Sequence, residues 1–184
     1  MSRACALILL LFCLSIPIGA TVILPAEFRE IVAGSAIIVH GRVIDVRSEW
    51  VDNRSHIDTV VTVQPSTFYR GTPTPTVTFR TPGGQVGRYK SVTVGAPEFQ
   101  PGEEAVLFLR GSAPAMPGVF GLNQGVFRVR IDTRGQRQVI LPVLLARGEG
   151  PELVLRGARE RRPLTLDQFG AQVRAVLQQQ GGAR

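Results

Sequence analysis

The sequence predicts a mainly β domain: five or more strands bent into a closed barrel, a short helix before them and a longer helix after. Three observations lead there. The stretch Val77 to Leu109 reads as three short strands divided by Pro82-Gly83-Gly84 and Gly95-Ala96-Pro97, residues that end ladders or take positive φ. Ala36 to Val46 is a β-branched run with Gly41 inside it, the mark of a bulge that bends a sheet. The last twenty residues carry a capped pattern of helical period.

Before any of these comes a leader. Arg3 supplies a positive start, Ala6 to Ile16 an apolar run, and Ile18-Gly19-Ala20 a small-residue exit, so cleavage is expected after Ala20. The apolar run is short for a membrane span of ~20 residues. Phe12 before Cys13 does not suit lipid attachment. The expected product is secreted or periplasmic, is not transmembrane after cleavage, and keeps neither Cys5 nor Cys13. It has no disulfide, so its core alone must hold it. Formal charge is +7, or +6 once Arg3 leaves, and Lys90 is the only lysine.

The spacing then predicts a helix from Leu24 to Gly34, with Pro25 in its first turn and Phe28, Ile31 and Val32 as its apolar stripe. The strand Ala36 to Val46 turns at Asp52-Asn53 and returns as Ile57 to Val63, with Ile57, Thr59, Val61 and Val63 on one face. Val77 and Phe79 alternate with polar neighbours. Val92 to Val94 is expected as a second strand of the central stretch, and Ala105 to Leu109 as a third, apolar on both faces. A surface loop is expected over Ser112 to Gly118. Val126 to Asp132 points Phe127, Val129 and Ile131 inward and Arg128, Arg130 and Asp132 outward. It turns through Thr133-Arg134-Gly135 into Gln138 to Leu141. Thr165 and Gln168 form a capping box for the final helix, where Leu164 staples onto Phe169. Leu166, Phe169, Val173, Val176 and Leu177 form its stripe, and Gly181 ends it. The layout is a leader at 1–20, a barrel with an appended hairpin at 21–145, and a basic linker with a helix at 146–184.

Catalytic signals are few. The two histidines, His40 and His56, fall on neighbouring strands and so can approach each other, but a metal site needs three or four ligands and no HExxH spacing occurs. No GxSxG is present. Glu103-Glu104 and Glu149/Glu152 are paired carboxylates that read as solvated turn charges. The loop from Pro82 to Gly87 lacks the Lys-Ser/Thr of a phosphate cradle. No cofactor is implied. Arg156 to Arg162, with Arg147 nearby, is a basic cluster without the stacking aromatics of a nucleic-acid binder. Asn53-Arg54-Ser55 matches a glycosylation sequon, relevant only in a eukaryotic source.

Four features together resemble the netrin-like, or tissue-inhibitor-of-metalloproteinases-like, OB-fold. They are the short first helix, the Ala36 to Val43 strand with its internal glycine, Tyr69-Arg70-Gly71, and the Gly102 to Leu109 strand. The chain also resembles a group of exported bacterial proteins of no known activity, which carry RTPGG (Arg80 to Gly84) and GAPxF (Gly95 to Phe99). The first resemblance implies an OB-like five-stranded barrel. Inhibitors of that fold place a disulfide-held N-terminal cysteine on a protease zinc; here the expected N-terminus is Thr21, so inhibition by that route is not expected.

The expectation is therefore a non-enzymatic binding protein of the cell envelope. It engages an envelope or extracellular protein or peptide through glycine-rich loops. The residues expected at the contact are Arg80, Thr81, Gly83, Gly84, Gly95, Pro97, Phe99, Asn123 and Gln124. The alternatives are a protease inhibitor or metalloprotease accessory factor, and a polysaccharide or anionic-surface binder.

Overall fold

A computed structural model describes residues 25–111, 114–142 and 163–181. The leader, Glu149/Glu152 and the basic cluster Arg156 to Arg162 lie outside the described residues.

Strand β6 (Glu104–Arg110) is where two apolar cores meet, because Ala105 to Leu109 are all buried. A pleated strand sends successive side chains to opposite faces. Val106 and Phe108 accordingly enter one cluster, and Ala105, Leu107 and Leu109 the other. The expectation of a strand apolar on both faces holds.

β1 (Ile37–Val51) and β2 (His56–Arg70) pair antiparallel as a long ribbon. Both outrun the sequence expectation, which ended them at Val46 and Val63. The first additions on each strand, Arg47 to Glu49 and Gln64 to Thr67, carry no periodic apolar signal. The apolar residues beyond them, Trp50, Val51, Phe68 and Tyr69, come in adjacent pairs rather than alternating. Gly41 sits at a register shift, where a Cβ would lie 2.5 Å from the Gln64 carbonyl oxygen and 2.6 Å from Val63 Cγ1. Only glycine fits that approach, and Pro65 opposite is tolerated because the ladder is irregular there. Of the two further irregularities in this ladder, one falls between Ile38 and Val39 and the other between Val43 and Asp45; the latter bears on the core. It leaves Ile44 46% exposed and lets Val43 and Val46, three residues apart, pack on the same cluster.

β3 (Val77–Pro82) pairs with β2, and β7 (Gly118–Val119) bridges β3 to β6. Since β6 also pairs with β1, five strands close a ring in the order β1-β2-β3-β7-β6 and back to β1. Every contact in it is antiparallel except Arg80 with Gly118. Val39, Val61, Phe79, Phe99 and Leu107 belong to the cluster on this ring's inner side.

β8 (Val126–Ile131) adds to β6, and β9 (Arg137–Ile140) adds to β8. Phe127 and Val129 face inward as expected. Ile131 does not: it ends the ladder opposite Arg137, beyond the reach of the core, and is 67% exposed. Arg128 is half-buried rather than out, held by Glu103 and stacked 5.6 Å over Phe99.

The helices α1 (Phe28–Ala33) and α2 (Leu166–Gly181) cover the other face of β6. Phe28, Ile31 and Val32 form the expected stripe of α1, although the helix starts four residues later than expected. The capping box of α2 is present: the Thr165 amide donates to Gln168 Oε1 at 3.1 Å, and the Gln168 amide to Thr165 Oγ1 at 3.3 Å. Phe28, Phe108, Phe127 and Phe169 pack together with ring centroids 5.0 to 6.3 Å apart.

Tyr69-Arg70-Gly71 ties both helices to the ring. Arg70 Nη1 donates to the Val32 carbonyl at 2.6 Å and the Ser35 carbonyl at 3.0 Å, satisfying acceptors that the end of α1 leaves open. Its Nη2 donates to Gln180 Oε1 at 2.9 Å on α2. Tyr69 lies against Gly170, where a Cβ would come within 2.7 Å of the phenol oxygen. Burial there pushes its phenol above the ordinary value of 10.0, with Arg174 pulling the other way and Asp167 adding to the rise.

The expected Val92 to Val94 strand is absent. In its place are a hairpin of β4 (Gly84–Val86) with β5 (Tyr89–Ser91) and then a turn. The Ala96 amide closes that turn on the Thr93 carbonyl at 3.1 Å, with Gly95 at φ +86° in its third position. Val92 and Val94 have the β-branching of a strand but no neighbouring strand to pair with, which is what propensity alone does not supply. Among the described residues no helix is long and apolar enough to cross a membrane.

Candidate binding cleft

The RTPGG segment leaves the ring at the end of β3. The Gly83 amide still donates to the Ile57 carbonyl at 3.0 Å, and Thr59 Oγ1 donates to the Gly83 carbonyl at 2.7 Å. Gly83 at φ +94° and Gly84 at φ +143° then fold the chain back over the ribbon. A Cβ on Gly84 would run into Ser48 Oγ and Thr59 Oγ1. Those hydroxyls lie 3.1 Å apart, and Ser48 Oγ accepts the Gln85 amide at 3.2 Å. The hairpin is thus laid on a pair of cross-strand hydroxyls.

GAPEF returns beside it. Thr81, 2% exposed, donates its hydroxyl to the Pro97 carbonyl at 3.4 Å. Phe99 enters the ring and meets Phe79 edge-on at 5.3 Å. Between the two segments lies an open cleft of about 290 Å³. Of the residues expected from the sequence, Thr81, Gly83, Gly84, Pro97 and Phe99 line it.

The other four are elsewhere. Arg80 is paired with Glu49 at 2.7 Å and lies 3.8 Å from Asp58. Gly95 shapes the turn beside the cleft without lining it. Asn123 and Gln124 belong to the bend between β7 and β8. There the Asn123 carbonyl accepts the Val126 amide at 3.1 Å, and buried Gln124 accepts the Ala26 amide at 2.6 Å. That glycine-rich bend locks the start of α1 and does not join the cleft.

Sequence reasoning missed Val46, Ser48, Thr59, Lys90, Thr93 and Glu98, all of which line it. Ser48 and Thr59 carry a signal only once the ribbon register places them opposite each other. Lys90 and Glu98 bring one charge of each sign. The lining is a mixture of hydroxyls, turn backbone and apolar side chains, suited to hydrogen-bonding an extended chain while packing its side chains.

The histidines lie apart from the cleft and from each other. His40, 6% exposed, hydrogen-bonds Glu104 at 2.7 Å at the seam of β1 and β6, and Arg137 reaches the same carboxylate at 3.3 Å. His56 is at the far end of the ribbon beside Ser55. Among the described residues no group of three or more His, Cys, Asp or Glu side chains is placed to hold a metal. No protein-family model matches the chain, and no curated protein and no solved structure matches it.

Proposed function

We propose that this is an exported, non-catalytic binding protein of the cell envelope. Its OB-like barrel presents the cleft between β4–β5 and the Pro97 segment to an extended stretch of a protein or peptide partner. One observation carries the reading: Thr81 to Gly84 and Pro97 to Phe99, separated in sequence, line a single opening. The OB-like part is supported by the five-membered ring, its Gly41 bulge and the single parallel contact. The leader pattern supports export.

The test is affinity capture from envelope extract on immobilised protein, with mass spectrometry of what is retained. Thr93→Trp fills the cleft, Glu98→Lys inverts its charge, and Arg130→Gln changes an exposed residue on β8. The reading expects a protein held by wild type and Arg130→Gln and lost from both cleft variants. Identical capture by all four proteins contradicts it.

A further inference from the structure

The hairpin and turn beside the cleft expose apolar side chains that the fold does not require. Val94 is 87% exposed, Val92 72% and Tyr89 51%. Tyr89 meets Trp50, the chain's only tryptophan, edge-on with ring centroids 5.5 Å apart. Exposed apolar groups gathered on one segment mark a contact surface.

The charge around them is of one sign over a long stretch. Between Asp58 and Glu98 the chain carries no acid and four cations: Arg70, Arg80, Arg88 and Lys90. Arg70 is bound to the helix ends, and Arg80 to Glu49. Arg88 and Lys90 stay exposed on either side of Tyr89, with the Arg88 guanidinium 5.2 Å over the Tyr89 ring. Of the acids near Trp50 in the chain, Glu49 is paired with Arg80 at 2.7 Å, and Asp52 at the ribbon tip has Arg54 two residues on.

We propose that this tip docks the protein on an anionic phospholipid bilayer: Val92 and Val94 enter the interface, Trp50 and Tyr89 sit at headgroup level, and Arg88 and Lys90 meet the lipid phosphates. Tryptophan and tyrosine favour that level because each has an apolar body and a polar edge. A shallow apolar insertion combined with cations is the two-signal arrangement that holds a protein at a membrane surface. Lys90 and Val92 also line the cleft, whereas Arg88, Tyr89 and Val94 do not, so the docked tip adjoins the cleft and substitutions at Arg88 and Val94 leave its lining unchanged.

The test uses the chain from Thr21 onward, which keeps every described residue, and sedimentation with two kinds of vesicle. One is phosphatidylcholine alone; the other is equal parts phosphatidylcholine and phosphatidylglycerol. Binding is expected to the mixed vesicles only, to weaken with salt, and to shift Trp50 emission to shorter wavelength. Arg88→Gln is expected to weaken it about five-fold, and Val94→Asp about ten-fold or more, since it places a carboxylate where the apolar tip enters. Both positions are exposed, and partner capture by both variants is expected to match wild type. Equal binding to both vesicles overturns the proposal, as does wild-type affinity in the Arg88→Gln/Val94→Asp double variant. Binding without any change in Trp50 emission, a readout that needs no variant, overturns it too.

Discussion

Two glycine-rich regions of this chain look alike in sequence and do opposite things. The bend Gly121 to Gly125 spends its polar groups inside the molecule, with Gln124 buried against the start of α1. The run from Gly83 to Gly95 uses its glycines to lay a hairpin over Ser48 and Thr59, then leaves Tyr89, Val92 and Val94 in solvent beside an open cleft. Glycine density therefore marks close backbone approach in both places. What separates a clamp from a contact surface is whether the neighbouring side chains have partners within the fold.

Substitutions sharpen that contrast. Phe169→Ala, in the centre of the four-phenylalanine cluster, is expected to cost about 3–5 kcal/mol in denaturant unfolding. Val94→Asp is expected to shift stability by less than about 0.5 kcal/mol. Arg70→Ala removes donors from the Val32 and Ser35 carbonyls and frees Gln180; about 2–3 kcal/mol is expected by the same measurement.

Within the hairpin the two kinds of glycine separate. Gly84→Ala combines positive φ with collision against Ser48 and Thr59, and about 2–3 kcal/mol is expected. Gly87→Ala, at φ +60° with open space around its Cβ, is expected to cost about 1 kcal/mol. Equal losses at the two sites would mean that the hairpin is not seated on those hydroxyls.

The smallest effect is expected at Tyr69. Its folded phenol ionises above the ordinary value of 10.0, so the unfolded chain gives up that proton first as pH rises. The contribution to stability is complete below the ordinary value and is lost as pH climbs through the raised one. Melting temperature followed upward from pH 10 is expected to fall more steeply for wild type than for Tyr69→Phe.

Much of this architecture was legible because the pattern and the packing coincide. Phe28, Ile31 and Val32 formed a visible stripe, and the box of Thr165 with Gln168 announced α2. Gly41 was readable as a bulge because it is the one residue without a side chain inside a strand-forming run. The ribbon's outer half was not legible, since Arg47, Ser48 and Glu49 pair by backbone without burying an apolar face. Val92 to Val94 misled for the opposite reason: an apolar alternation with no sheet beside it. Ile131 failed likewise, by lying one step past the end of the core. At the cleft, glycines and prolines located the turns, but the partners of those turns on β1 and β2 depended on a register that no local signal encodes.

The most direct measurement is site-specific photo-cross-linking in cells that express the full chain, with a photoreactive amino acid at Thr93 on the cleft or at Asn123 on the clamped bend. A discrete adduct with another protein from Thr93, and none from Asn123, is the predicted result. An adduct from Asn123 alone, or from neither position, contradicts the assignment of the cleft as the contact surface.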